Sequence, residues 1–383
     1  MKRLLALLSL ASACFAAFGQ ALPAPEIAAR DYLLIDMNAG QVLAERGADT
    51  SSDPASFTKL MTAYLVFASL KEHRLTLEQK LSVSLRAWSE RKGGGALMFI
   101  DATMKPSVDE LLQGLIVDSG NDAAVALAEN VGGSVDAFVA MMNRQAQAWG
   151  LKNTTFKNAS GLTEAGQRST PRDMTLIAQH IIRDFPEYYH YYSQREFKFN
   201  NIRQDNANLL LKRDPSVDGM KTGFTDAAGY SLLASAQREF SNGKRRLIAI
   251  VMGADSMQGR ANETQKLLNW GFTAFDDVRL VEAGQPIGAP VRVWKGRQAT
   301  VGLGSADAIY VAVPKGEGDR LKTLVEHTDP LVAPLAKGQR VGAVKVTTAS
   351  GVAISTIALT VLEEVPEAGP FGRAWDAIRL WIK

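Results

Sequence analysis

The chain has 383 residues, 46% hydrophobic and 22% charged, enough to bury a large core and to divide into two or three domains. Lysine and arginine total 43 against 40 aspartates and glutamates, and that near-balance points to no nucleic-acid partner. A single cysteine, Cys14, excludes a disulfide framework and a cysteine-ligated metal.

Met1-Lys2-Arg3, the apolar run Leu4 to Leu10 and the small residues ending near Gly19-Gln20-Ala21 read as a secretory signal peptide, residues 1–21. Its removal takes away Lys2 and Arg3 and no acid, leaving 41 basic residues against 40 acidic ones. Cys14 leaves with it. Lipoprotein-type cleavage before Cys14 is disfavoured by Ala11, where a larger aliphatic residue is usual. An exported chain without thiols takes its stability from its core and has no thiol nucleophile.

Tyr32 to Asp36, the turn Asn38-Ala39-Gly40 and Gln41 to Glu45 read as a β-hairpin. Asp53-Pro54-Ala55-Ser56-Phe57-Thr58-Lys59 then opens a helix, with Asp53 suited to the N-cap, Pro54 to the first helical position and Leu60, Met61, Tyr64, Leu65 and Ala68 continuing an apolar stripe. Ser56 and Lys59, three apart, share one helical face. A serine hydroxyl is a weak nucleophile until a base takes its proton, and a desolvated lysine amine can be that base. Near a helix start, Ser56 also sits among backbone N–H groups that favour negative charge on an attacked carbonyl.

Between Lys71 and Asp101 the pattern weakens, and Gly93-Gly94-Gly95 marks a loop; no Gly-Lys-Ser/Thr follows, so it is no phosphate loop. Ser107-Val108-Asp109-Glu110 is a capping box for a helix carrying Leu111, Leu112, Leu115 and Ile116. That helix ends at Asp118-Ser119-Gly120-Asn121, and a second begins at Ala123 and runs to Val131. Ser119 and Asn121 therefore lie on a short turn between buried helices, which would hold two hydrogen-bonding side chains at a fixed point.

A helix over 135–149 leads to Asn158-Ala159-Ser160-Gly161-Leu162, and another over 173–185 ends at Pro186. Tyr188, Tyr189, Tyr191 and Tyr192 read as packing. The segment 217–225 carries Lys221, Thr222, Gly223 and Phe224 on a strand, offering positive charge, a hydroxyl and room for a substrate backbone. A strand over 230–236, the turn Asn242-Gly243 and a return strand over 247–253 extend that sheet. Ser256 to Trp270 reads as a helix stopped by Gly271, with Arg260 near its start.

From Val278 the chain becomes Val-rich, with strands over 291–294, 308–313 and 339–347, and reads as a small all-β domain without a catalytic constellation. The tail places Phe371, Trp375, Ile378 and Ile382 on one helical face and Arg373, Asp376, Arg379 and Lys383 on the other. At about 1.5 Å per residue it is too short to cross a hydrocarbon core of about 30 Å, but it can lie in a membrane interface. The competing reading is a helix docked on its own domain.

Ser56-x-x-Lys59, Ser119-Gly120-Asn121 and Lys221-Thr222-Gly223 stand in the order and on the elements seen in penicillin-recognising serine acyl-transferases. Within that group the chain resembles the low-molecular-mass penicillin-binding proteins that act as D-alanyl-D-alanine carboxypeptidases. The likeness runs from Ile27 to the end and takes in Asn158 to Leu162, Met252-Gly253-Ala254, the β-domain and the amphipathic tail. It implies an α/β transpeptidase-like domain over 22–277, with an antiparallel sheet and helices, an all-β stalk over 278–366 and an anchoring helix over 367–383. It further implies a periplasmic protein on the outer face of the cytoplasmic membrane that acts on peptidoglycan stem peptides and is inhibited by β-lactams.

The same resemblance assigns roles. Ser56 is the nucleophile and Lys59 its general base; Ser119 relays a proton to the leaving amine, linked to Lys59 and Lys221. Asn121 bonds the substrate amide, and the backbone N–H groups of Ser56 and Phe224 form the oxyanion hole. Lys221, Thr222 and Arg260 hold the terminal carboxylate beside Gly223, without cofactor or metal. Some relatives carry histidine where Phe224 stands, which implies altered rate or preference rather than loss of activity.

Three alternatives share features of this reading. A class A β-lactamase needs a glutamate that activates a deacylating water; Glu164 is the candidate, without the expected downstream Asn. A DD-endopeptidase uses the same residues on peptidoglycan cross-links. A non-catalytic envelope-binding protein has no need of a nucleophile with its base. A metal hydrolase is disfavoured because His73, His180, His190 and His327 show no paired ligand spacing.

Overall fold

The computed structural model describes residues 23–240 and 243–382. The expected signal peptide at 1–21 with Cys14, Asn242 of the hairpin turn and Lys383 of the tail lie outside the described residues. Contacts group the chain into two compact units, one formed by Ala24–Gln285 with Ala306–Gly318 and the other by Pro286–Ser305 with residues 319–382.

In the first unit, β1 (Asp31–Asp36) and β2 (Gln41–Arg46) form the expected hairpin. Its turn is fixed by Asp36 Oδ1, which accepts the N–H groups of Asn38 and Ala39, each at 3.0 Å. A helical layer follows: α1 (Thr58–Lys71), α2 (Leu85–Ser89), α3 (Val108–Ile116), α4 (Asn121–Gly132), α5 (Val135–Ala148) and α6 (Pro171–Asp184). The expected capping box opens α3, with Ser107 Oγ accepting from Glu110 N at 3.2 Å and Glu110 Oε2 accepting from Ser107 N at 2.7 Å. Thr170 caps α6, and Pro171 takes its first turn. The short α2 falls where the sequence shows no period, and it starts at Ser84, whose Oγ accepts from Ala87 N at 3.0 Å.

The hairpin β3 (Glu196–Phe199) and β4 (Ile202–Asp205) and the turn of helix α7 (Leu210–Arg213) lead to three long strands, β5 (Val217–Thr225), β6 (Gly229–Phe240) and β7 (Gly243–Ala254). These join the first hairpin in an antiparallel five-stranded sheet of order β2-β1-β7-β6-β5. Alternate residues of each strand serve opposite faces. Leu33, Ile35, Leu233, Ile248 and Ile250 bury against the helical layer, and Leu34, Leu232, Leu247, Ala249 and Val251 bury against α8 (Met257–Ala274). The sheet is therefore sandwiched, with β5 at its edge beside the Ser56 turn.

The sequence expectation for α8 is corrected at its end, because the helix runs through Gly271 to Ala274. A Cβ at Gly271 would stand 2.7 Å from Leu34 Cδ2 and 2.8 Å from Leu247 Cδ1, so this glycine lets the helix press on the sheet instead of stopping it. The tyrosines fall as expected in packing, with Tyr189, Tyr191 and Tyr192 buried in the core.

After β8 (Phe275–Val281) come β9 (Val291–Trp294), β10 (Thr300–Val301), β11 (Leu303–Gly304), β12 (Ile309–Pro314), β13 (Lys322–His327), β14 (Leu331–Val332), β15 (Arg340–Thr347), β16 (Ala353–Val361) and α9 (Pro370–Ile382). In the second unit the strands form two small sheets, β10-β9-β14 and β11-β16-β15-β13, over a core that includes Val293, Leu303, Leu331, Val341 and Val361. Strand β12, which the sequence places with this β-domain, belongs to the first unit. It pairs antiparallel with β8 from Ile309↔Val281 to Pro314↔Phe275, and Gln41 of β2 hydrogen-bonds both backbone groups of Ala312. The chain is thus an α/β domain with an antiparallel sheet and helices, followed by an all-β domain and a C-terminal helix.

Candidate active site

Ser56 does not lie in α1 itself. It sits in a 3-10 turn, Ala55–Phe57, that enters α1 at Thr58; Pro54 rather than Asp53 holds the cap position of this turn, and Asp53, one residue earlier, accepts Ala55 N–H at 2.9 Å. The other Asp53 oxygen accepts Thr163 Oγ1 at 2.7 Å, tying the turn to the loop after Asn158. That loop approaches closely: a Cβ at Gly161, where φ is +87°, would come within 1.9 Å of Ala55 O. Only glycine fits there.

Lys59 follows on α1, 2% exposed, with Nζ 3.1 Å from Ser56 Oγ. The amine also donates to Asn121 Oδ1 at 2.8 Å and to Ser160 O at 2.5 Å, so every oxygen hydrogen-bonded to it is neutral. Burial lowers its pKa to about 7, with the nearby charges of Asp122 and Glu90 pulling the other way. An amine so poised is a competent base at neutral pH.

The turn between α3 and α4 delivers Ser119 in the left-handed region, φ 60°, and Asn121 at the start of α4 rather than before it. Asn121 Nδ2 reaches Gly94 O at 3.5 Å, so the triple-glycine loop closes over this corner. Asp122 is buried and accepts Met98 N at 2.9 Å and Ile100 N at 3.1 Å, pinning the same loop.

From edge strand β5, Lys221 Nζ donates to Ser119 Oγ at 2.8 Å. Its pKa lies well below the ordinary lysine value, first because of burial and then because of the charges of Lys59 and Arg260. Thr222, Gly223 and Phe224 continue along the cleft, Phe224 being 47% exposed. Arg260, 4% exposed on α8, donates Nη1 to Gly223 O at 3.2 Å and Nη2 to Ala207 O at 3.3 Å. Burial brings its pKa down to about 10, which leaves it charged at neutral pH.

The cleft encloses about 380 Å³ and is lined by Ser56, Ser119, Asn121, Thr222, Gly223, Phe224 and Arg260 from the sequence-derived set, with Lys59 and Lys221 buried behind its wall. All nine residues therefore converge. The link expected between Ser119 and both lysines is made by Lys221, while Lys59 is directed to Ser56, Asn121 and Ser160. Sequence reading missed Asp118, Tyr230 and Met257 as lining residues and the Ser160 carbonyl as a lysine acceptor. Only the Asn158–Leu162 motif hinted at the last.

Glu164, the residue a class A β-lactamase would need, is exposed and accepts Asn158 Nδ2 at 3.0 Å, whereas Leu162 and Thr163 line the cleft. Among the described residues no group of three His, Cys, Asp or Glu is placed to hold a metal ion.

Residues 19–256 match the family model described as D-alanyl-D-alanine carboxypeptidase, and residues 275–367 match the C-terminal domain of penicillin-binding protein 5. The D-alanyl-D-alanine carboxypeptidase DacA of Haemophilus influenzae is 42% identical over 361 residues, 94% of this chain and 91% of that protein. The crystal structure of penicillin-binding protein 5 from Haemophilus influenzae superposes with a TM-score of 0.84 at 42% identity, over 90% of this chain and 100% of the other. Penicillin-binding protein D2 of Listeria monocytogenes in its ampicillin-bound form, 32% identical, covers 66% of this chain and 100% of its own with a TM-score of 0.57.

Proposed function

The chain belongs to the D-alanyl-D-alanine carboxypeptidase family and is a serine-type D-Ala-D-Ala carboxypeptidase; from that premise we propose the division of labour in its cleft. The carrying observation is the Lys59 amine, buried, 3.1 Å from Ser56 Oγ and with its pKa near 7. Lys59 takes the Ser56 proton as Oγ attacks the carbonyl between the two terminal D-alanines of a peptidoglycan stem pentapeptide. The N–H groups of Ser56 and Phe224 receive the oxyanion. Ser119, hydrogen-bonded to Lys221, passes a proton to the departing amine, and free D-alanine leaves an acyl chain on Ser56. Asn121 orients the substrate amide, while Lys221, Thr222 and Arg260 hold the terminal carboxylate against Gly223. Water then releases the shortened peptide. β-Lactams acylate the same serine, in keeping with the ampicillin-bound relative.

The test is D-alanine release from a stem pentapeptide, with product masses recorded, by the protein lacking residues 1–21 and by its Ser56→Ala variant. Release and a penicillin adduct by the parent, and neither by the variant, are expected. Adduct formation by Ser56→Ala would remove Ser56 as nucleophile.

Residues 1–21 direct export in this reading, and 22–277 act on the cell wall. The β-strands of the second unit, within 286–305 and 319–366, are the stalk, and 367–383 attach the enzyme to the outer face of the cytoplasmic membrane. Supporting attachment, α9 exposes Phe371 (93%), Trp375 (62%), Trp381 (89%) and Ile382 (73%) beside Arg373 and Arg379. Two side-chain contacts tie it to its own unit, Asp376 Oδ2 accepting Lys295 N at 2.7 Å and Arg373 Nη1 donating to Glu367 Oε2 at 2.6 Å. Deleting residues 369–383 is expected to abolish sedimentation with anionic vesicles and to leave turnover of small peptides intact. Persistent sedimentation would refute the anchor.

A further inference from the structure

We propose that the leaving-residue side of the cleft is a subsite for a C-terminal D-amino acid whose side chain is apolar and larger than alanine's. The proposal rests on the placement of the terminal carboxylate at Arg260, Lys221 and Thr222, and it defines what stands beside that carboxylate. A leaving residue carries its carboxylate and its side chain on one Cα. Whatever flanks the carboxylate clamp therefore meets the side chain.

Three elements bring apolar groups to that point. Phe224 on β5 and Tyr230 on β6 are direct cross-strand partners, with ring centroids 4.4 Å apart. Met257 and Arg260 are three apart at the start of α8 and so share one helical face. All four line the same cleft. The Arg260 guanidinium lies 5.7 Å from the Tyr230 ring centroid, and its Nη1 is tied to Gly223 O, so the cation is held between apolar surfaces.

Single exposed apolar side chains are ordinary on a protein surface. Here Phe224 is 47% exposed and Met257 is 55% exposed, and both stand at one charge clamp. A ligand of matching chemistry joins an anion to an apolar group, as D-leucine, D-methionine and D-phenylalanine do. A thioether adapts to such groups of varied shape. The chemistry is unchanged: the Ser56 Oγ–acyl bond forms, the peptide C–N bond breaks, and the departing amine takes up the proton given up by Ser56.

The experiment measures kcat/KM for release of the last residue from peptides that differ only there, ending in D-Ala-D-Ala, D-Ala-D-Leu, D-Ala-D-Met or D-Ala-D-Ser. The protein lacking residues 1–21 is compared with its Phe224→Ala and Met257→Ser variants. The parent is expected to release D-leucine and D-methionine at least as well as D-alanine and about tenfold better than D-serine, the scale set by a few buried methylenes. Each variant is expected to lower the D-Leu to D-Ala ratio about fivefold, a within-enzyme ratio that partial unfolding does not move. If the parent releases D-alanine well but D-leucine more than about tenfold more slowly, the subsite is refuted while the carboxypeptidase reading stands. Ratios unmoved by both variants would refute it equally. Failure to release any residue would overturn the carboxylate placement and the subsite with it.

Discussion

Arg245 and Lys59 are buried cations of the same unit, one with no exposed side-chain surface and the other 2% exposed, and the fold treats them oppositely. Arg245 meets a full counter-charge: its Nε lies 2.7 Å from Asp36 Oδ2, and its Nη1 donates to Phe275 O at 2.8 Å. Asp36 in turn caps the first hairpin with its other oxygen. Lys59 meets only a hydroxyl, an amide oxygen and a carbonyl. Its neighbour Lys221 is likewise turned to a hydroxyl and a carbonyl, Ser119 Oγ and Thr222 O. A buried cation with a carboxylate stays charged and holds elements together, whereas one with neutral oxygens gives up its proton readily and is available for chemistry. The cleft is the place where the molecule accepts the desolvation cost.

Removing each cation or its partner separates the two designs. Lys59→Met should lower kcat/KM by about a thousandfold, within the range for loss of a general base, while the melting temperature stays level or rises. A melting temperature that falls together with activity would mean that Lys59 is structural. Asp36→Ala should do the reverse: a loss of about 3 kcal/mol in denaturant unfolding, because buried Arg245 loses its hydrogen-bonded carboxylate, with kcat of the folded fraction unchanged.

The pH dependence sharpens the contrast. Below about pH 7 Lys59 is protonated in both folded and unfolded chains, and its burial destabilises the fold to the full extent. Between about 7 and the ordinary 10.5 the folded amine is neutral while the unfolded one is still protonated, so stability recovers as pH rises. The gain in melting temperature from Lys59→Met should therefore be largest near pH 6 and shrink by pH 10. Ser56 acylation by the parent should climb through about pH 7, as the amine becomes a base. A flat acylation profile between pH 6 and 8 would contradict Lys59 as the base.

The smallest effect belongs to an exposed cluster of one arginine and two carboxylates. Arg172 lies 2.7 Å from Glu45 Oε2 and 2.8 Å from Asp49 Oδ1, but with 36% of its side chain exposed it is screened by water and salt. Arg172→Ala should cost less than about 1 kcal/mol, and less still at high salt. A loss as large as that of Asp36→Ala would show that burial is not what separates the two regions.

Much of this was legible along the chain, because it depends on neighbours within a few residues. The capping box at Ser107, the first hairpin, the Ser56–Lys59 spacing and the amphipathic stripe of α9 are local, and each lies within one residue of its expected place or on it. Where local signals misled, a distant partner had overruled them. Gly271 read as a helix stop until Leu34 and Leu247 supplied a reason for a missing side chain inside the helix. The strand over 309–314 read with its sequence neighbours until β8 and Gln41 claimed it for the first unit. The residue types of the cleft and their order were thus set by sequence alone. Tertiary structure decided that Lys221 would cross 102 positions to Ser119, that Asn121 and Ser160 would close around Lys59, and that water would be excluded there. Spacing can place two groups on one helical face, but only burial by the rest of the fold can turn an ordinary lysine into a base at neutral pH.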